Sequence, residues 1–325
     1  MRDIDQLLER TSRTFALSIP LLPEPTRQEV TLAYLLFRIA DTLEDAASWP
    51  RERRRAALDE LVELLELPVE EVAPRAEEAS RRWCAGLPSE HQGYLDLLAA
   101  TPYVFERFAA LAPAARRIIA RDTLRTARGM AEFVARSDAG GRLELRDEDD
   151  LRRYCFVVAG IVGEMLTDLF LLDRPALTAA DGDELRRRAA TFGEALQLVN
   201  ILKDSRADAA EGRRYLPRGV DRAAVFALAR RDLAAAAEYV LVLQAAEARG
   251  LERGIVAFCA LPVRLAAATL DRVETEGAGA KLTRPEVFAI AADLERALER
   301  GEPAATEPGP PGAGLAPAAR DGVSP

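Results

Sequence analysis

Two short acidic runs have the composition of a reactive site: Asp41-Thr42-Leu43-Glu44-Asp45 and Asp204-Ser205-Arg206-Ala207-Asp208. In each, two aspartates stand four residues apart. On a helix that spacing leaves them about 40° apart, so both carboxylates project from one face, one turn from each other. Acids at this spacing are common on solvated faces, and either pair alone is weak evidence. Both pairs, however, follow apolar runs: Tyr34-Leu35-Leu36-Phe37 before Asp41, and Leu198-Val199-Asn200-Ile201-Leu202 before Asp204. Carboxylates on helices otherwise dressed for burial need cations to meet them. Magnesium, held by one or two carboxylates with waters and phosphate oxygens completing its shell, suits that arrangement.

The flanking residues supply the opposite charge. Gln197, Asn200, Asp204 and Asp208 share a helical face, and Gly212-Arg213-Arg214-Tyr215 follows. Arg38 stands one turn before Asp41, while Ser12-Arg13-Thr14-Phe15 places a hydroxyl and a guanidinium ahead of a proline-rich bend. Guanidinium forks match phosphate oxygens. Acids for a metal together with arginines for an anion describe a diphosphate site.

Composition narrows the alternatives. The chain has 325 residues, 53 acidic and 44 basic, with a net charge of -9. A nucleic-acid partner is not expected, because such binding rests on basic contacts to phosphate. The one histidine, His91, leaves imidazole metal sites and Ser-His machinery without their parts, and its polar surroundings place it on the surface. Cys84, Cys155 and Cys259 are far apart, which fits a reducing compartment. The amino terminus lacks an apolar signal run, so a cytoplasmic location is expected. The apolar stretch from Tyr154 to Leu172 is long enough to span a bilayer but contains Glu164 and Asp168, so it reads as a buried helix and not as a membrane anchor.

These residues must be held by helices. Alanine, leucine, arginine and glutamate dominate residues 3 to 300, with few alternating β-branched runs, so the class is all-α. Helices are expected from Thr26 to Ala46, after Pro50, from Thr101, from Leu151 to Leu172 behind the acidic cap Asp147 to Asp150, and from Thr178 to Glu211, with a turn at Asp138 to Gly141. Residues 1–300 form one domain. Residues 301–325, with 6 of the 19 prolines and 5 of the 20 glycines, read as a disordered tail. Gly160 and Gly163 imply close approach by either a neighbouring helix or a ligand. The Phe258-Cys259-Ala260-Leu261-Pro262 segment reads as a kink that either bends a core helix or shapes a cavity.

Five segments in order, SRTFALSIPLLP (12–23), YLLFRIADTLED (34–45), YCFVVAGIVGEMLTDLF (154–170), QLVNILKDSRADAAEGRRYLP (197–217) and FCALPVRLAAATL (258–270), resemble the squalene/phytoene synthase family. Those are head-to-head prenyltransferases of the isoprenoid synthase fold, a single helical domain around a central apolar cavity. The third and fifth segments look closer to squalene synthases than to phytoene synthases.

The resemblance implies that Asp41, Asp45, Asp204 and Asp208 hold magnesium on two prenyl diphosphates. It implies that Ser12, Arg13, Phe15, Arg38, Gln197, Asn200, Arg213 and Phe258 contact substrate, and that Tyr154 lies at the reacting carbons. Lys203 falls where squalene synthases often carry arginine. The implied reaction joins two farnesyl diphosphates through presqualene diphosphate, with the diphosphate itself or a tyrosine such as Tyr154 as base, and gives squalene if NADPH delivers hydride. Dehydrosqualene or phytoene synthesis is the nearest rival, and a non-catalytic assembly factor is a more distant one. The segment Glu274 to Lys281 departs from the basic stretch that serves NADPH in eukaryotic-type relatives. A monomer is expected, with peripheral membrane contact for product release.

Overall fold

The apolar positions recur every three or four residues, and the computed structural model, which describes residues 3–12, 14–138 and 141–306, packs them as helices. In chain order these are α1 (Ile4–Thr11), α2 (Phe15–Ser18) with a 3-10 turn (Ile19–Leu21), α3 (Thr26–Glu44), α4 (Arg51–Glu66), α5 (Val69–Cys84), α6 (Gln92–Ala99), α7 (Thr101–Ala109) and α8 (Pro113–Arg136). Then follow α9 (Glu148–Cys155), a π-helical turn (Phe156–Gly160), α10 (Ile161–Leu171), α11 (Ala179–Ala210), α12 (Arg222–Glu247), α13 (Arg253–Glu276) and α14 (Arg284–Arg300).

Local chemistry sets the ends. Thr178 and Asp181 form a reciprocal capping box at the start of α11, and Asp147 caps α9 by accepting from the Asp150 N–H at 2.8 Å. Gly301 stops α14 in the left-handed conformation. The helix expected from Thr26 to Ala46 ends at Glu44, because Asp45 serves as its C-cap. Residues 139 and 140 of the expected turn lie outside the described residues, as does 307–325 of the expected tail. That tail begins with packed residues: Ala304 and Ala305 are buried, and Arg264 donates to the Ala304 carbonyl at 2.6 Å.

Helix α11 forms the axis of one half, packed on α10, α12, α13 and the π turn, and α3 forms that of the other, packed on α4 and α8. Apart from the side chains it turns toward the site, α3 is almost entirely buried. The stretches Glu148–Leu171 and Arg253–Glu276 are long and apolar enough to cross a membrane, yet 61% and 56% of their apolar windows are buried inside the fold, as in core helices. A feature without a sequence signal is a parallel ladder of two residues per strand, β1 (Leu143–Glu144) and β2 (Arg213–Arg214).

Asp150 ties α8 to α9. Only 3% exposed, it accepts from Arg146 Nε at 2.9 Å and from Arg136 Nη1 at 3.0 Å. Asp150→Asn is expected to cost about 2 kcal/mol at neutral pH by removing charge-assisted hydrogen bonds, since both arginines keep access to water. The Arg146 hydrogen bond, then Arg136, hold the carboxyl well below the usual range against the opposing effect of burial. A depressed pKa stabilises the fold above the unfolded value and loses that effect as pH falls. The gap between variant and wild type in urea denaturation should therefore be full above roughly pH 5 and shrink toward pH 2.

Candidate active site

The last two turns of α3 present Arg38, Asp41 and Asp45 to solvent while their neighbours Leu43 and Ile39 are fully buried. Arg38 Nη1 lies 3.0 Å from Asp41 Oδ2, and Arg38 Nε donates to the Tyr34 hydroxyl at 3.2 Å, which itself donates to the Thr11 carbonyl at 2.7 Å. Burial pushes Asp41 up to about 6, with Arg38 opposing and Asp45 adding repulsion. Partial desolvation within the cavity likewise raises Asp45, although its side chain is still exposed, against Arg213 and Arg38.

The second pair leaves the C-terminal end of α11 and meets the first through Arg213. The Arg213 guanidinium stands 3.5 Å from Asp45 Oδ1, 3.9 Å from Asp208 Oδ1 and 2.6 Å from Glu211 Oε2. Burial works against its charge, but Asp45, Tyr215 and the glutamates outweigh that and keep it firmly protonated. Its Nε is buried without a hydrogen-bond acceptor. Burial raises Asp208 to about 6, against Arg213 and with help from Asp204 and Asp45. Lys203 is held within its own helix, 3.1 Å from Asp204 Oδ2 and 3.0 Å from Asn200 Oδ1.

One polar cavity of about 680 Å³ gathers Ser12, Phe15, Arg38, Asp41, Asp45, Tyr154, Gln197, Asn200, Lys203, Asp204, Asp208 and Arg213. The helical face of Gln197, Asn200, Asp204 and Asp208 is thus reproduced as a wall. Arg13 lies outside the described residues. Phe258 is set apart: it lines an adjoining apolar cavity of about 200 Å³ with Pro262, Ile19, Leu166 and Phe192, and Phe15, Arg38, Asp41, Gln197 and Asn200 border both chambers. Charge therefore sits at one end of a continuous space and hydrocarbon walls at the other.

Gly163 and Gly193 let the helices beside the apolar cavity approach backbone to backbone. A Cβ on Gly163 would sit 1.9 Å from the Ala189 carbonyl oxygen, and one on Gly193 would sit 2.0 Å from that of Ala159. The close approach read from the sequence at Gly163 is helix on helix, and both glycines also border the apolar cavity.

The donor set fits magnesium. Among the described residues no three acidic, histidine or cysteine side chains converge into an all-protein metal cage. Two pairs of carboxylates, three members of which are raised by burial and neighbouring acids, match an ion that takes one or two protein ligands and draws the rest from phosphate.

The sequence profile of the squalene/phytoene synthase family matches residues 8–288. The chain belongs to this family. Among family members, the squalene synthase of Schizosaccharomyces pombe is 27% identical over 66% of this chain and 44% of its own length. Squalene synthase BSS of Botryococcus braunii is 33% identical over 61% of this chain and 38% of its own. The matched region thus spans less than half the length of these relatives. A solved complex of TcSQS with the ligand E5700 superposes with a TM-score of 0.67 at 25% identity, covering 92% of this chain and 88% of that one. The all-α isoprenoid synthase fold expected from the motifs is the fold observed.

Several site residues escaped the sequence. Glu44 is 5% exposed, its carboxyl raised by burial and then by Asp45 and Asp41, and it lines the polar cavity with Tyr215. Tyr215 stacks on Tyr154 with ring centroids 4.5 Å apart. Tyr34 could have been found, since it lies one turn before Arg38 on the same face. Tyr94 and His91 carry no local signal. Exposed as expected, His91 nevertheless sits on the cavity rim against Tyr94.

Proposed function

We propose that this chain catalyses the magnesium-dependent head-to-head condensation of two farnesyl diphosphates, through presqualene diphosphate, to squalene. The observation that carries this reading is Arg213 standing between Asp45 and Asp208, which draws both acid pairs to one polar cavity adjoining an apolar one. Asp41, Asp45, Asp204 and Asp208 would hold magnesium, which would supply positive charge to stabilise a departing diphosphate. Arg38, Lys203 and Arg213 bind and orient that anion. The walls around Phe258 and Phe192 keep water from the allylic cation while the second double bond attacks it. Burial, reinforced by Glu44, keeps Tyr154 protonated, so its phenol acts as a donor and the released diphosphate takes the proton lost on cyclopropane formation.

A second reading, dehydrosqualene or phytoene formation without reduction, draws on residues 274–281. There Glu274 pairs with Arg230, the Gly279 N–H donates to the Lys203 carbonyl at 2.7 Å, and Lys281 is the one basic side chain. Such a segment offers no cluster of cations to a dinucleotide phosphate. Leu17 and Leu21 are exposed on the element whose Phe15 and Ile19 line the apolar cavity, and we assign them the peripheral contact with the cytoplasmic membrane face at product release.

Purified protein with magnesium and farnesyl or geranylgeranyl diphosphate, with and without NADPH, is expected to release diphosphate and join two farnesyl chains, faster when lipid vesicles are present. Product mass separates squalene from dehydrosqualene and phytoene. No diphosphate release from either substrate overturns the enzymatic reading.

A further inference from the structure

We infer that Tyr94, supported by His91, is a positioning residue that holds the Arg38 guanidinium ready for an anionic ligand; this rests on the diphosphate reading above. The Arg38 Cζ lies 5.4 Å from the centre of the Tyr94 ring and 5.5 Å from that of Tyr34. Tyr34 comes from the same helix as Arg38, whereas Tyr94 reaches it from α6. That helix is docked at its first turn: a Cβ on Gly93 would lie 2.3 Å from the Arg10 carbonyl oxygen, so α6 sits backbone to backbone on the end of α1. On the rim, the His91 ring packs on Tyr94 with centroids 4.2 Å apart and planes 31° from parallel.

The position of Tyr94 is as telling as its contacts. It borders the large polar cavity and also a second polar pocket of about 210 Å³, lined by Arg38, Asp41, Asp45, Ser89 and Arg213. Tyr94 thus borders both polar spaces, together with Arg38, Asp41, Asp45 and Arg213.

Aromatic faces do for Arg38 what carboxylates cannot. An ion pair fixes a guanidinium by occupying its in-plane N–H groups, and those are the groups a diphosphate needs. A ring against the guanidinium plane restrains it and stabilises its charge while leaving the edges available. Arg38 spends Nε on Tyr34 and Nη1 on Asp41, and the rest of the fork remains for ligand oxygens. Among the described residues Arg38 is the one cation of the site with such rings beside it; Lys203 and Arg213 are held by acids. A restrained side chain loses less freedom on binding, so the effect belongs to affinity.

The test is calorimetric titration of the full chain with inorganic diphosphate in magnesium buffer, alongside steady-state kinetics with farnesyl diphosphate. Tyr94→Leu, which keeps apolar bulk without a π face, is expected to weaken binding about 3- to 30-fold and to raise KM similarly with a smaller change in kcat. Tyr94→Phe should stay within about twofold of wild type. His91→Ala should fall between them. Equal binding by Tyr94→Leu and wild type overturns the inference, as does a Tyr94→Phe variant as weak as Tyr94→Leu. Wild-type protein that binds no diphosphate overturns the diphosphate reading and this inference together, so the two failures are told apart by the wild-type titration.

Discussion

Asp208→Asn is expected to lower kcat about a thousandfold and to leave the protein as stable as before or slightly more so. Under the magnesium assignment proposed above, the variant lacks a charged metal ligand, worth several kcal/mol where negative charge develops on a leaving group, and ~4 kcal/mol corresponds to a factor of about a thousand. The stability half comes from the same carboxylate. Burial, reinforced by Asp204 and Asp45, raises Asp208 to about 6 even though Arg213 opposes it. A group whose folded pKa lies above its unfolded one opposes folding once it is ionised, so at neutral pH the isosteric amide removes an unfavourable charge. Arg213 retains Asp45 at 3.5 Å and Glu211 at 2.6 Å, so the variant strands no cation. Steady-state rates with thermal melts of both proteins check this. Wild-type turnover in Asp208→Asn would sink the metal assignment, and a marked fall in Tm would mean that the aspartate is there for the fold.

Gly163→Ala is expected to destabilise the protein by about 3 kcal/mol, and Gly193→Ala by a similar amount. Two effects compete. Replacing a mid-helix glycine by alanine ordinarily gains about 1 kcal/mol of helix propensity. Against this, the new Cβ would stand 1.9 Å from the Ala189 carbonyl oxygen in the first case and 2.0 Å from that of Ala159 in the second. Both obstacles are backbone, which no rotamer change can move. Relief to an ordinary contact requires α11 to part from α10 in the first case and from the π-helical turn in the second by more than about 1 Å, which opens packing along the seam. Since both glycines border the apolar cavity, activity should fall with stability. Denaturant titration gives the number; a variant more stable than wild type would show that the seam yields cheaply and that propensity wins.

How much of this was legible beforehand depended on distance along the chain. The acidic cap at Asp147 could be placed because a cap and its partner are three residues apart, and Thr178 could be placed as a helix start. The aspartate pairs were visible for the same reason, and so was their common face with Gln197 and Asn200. What Arg213 does was not visible, because Asp45 and Asp208 reach it from helices far apart in sequence. Glu44 was hidden inside its own motif: only the packing of α3 makes it the buried acid while Asp45 beside it is exposed. The choice between packing and pocket at Gly163 depended on a neighbour's carbonyl, and Tyr94 depended on where α6 docks. Sequence periodicity specifies faces, and it takes tertiary contact to say what each face meets.

The two-residue ladder changes what would have to be moved to transplant this chemistry. Leu143 N–H donates to the Gly212 carbonyl at 3.1 Å and Leu145 N–H to that of Arg214 at 3.0 Å, so the backbone on both sides of Arg213 is fastened to the connection between α8 and α9. The reach of that guanidinium is consequently set by a segment some seventy residues upstream, none of whose described residues lines the polar cavity. Grafting the two aspartate motifs and their arginine onto another helical scaffold would carry over the ligands without the part that aims them. The smallest portable unit is a frame of four chain segments, and variation at Leu143 to Leu145 acts on it as a tuning screw from outside.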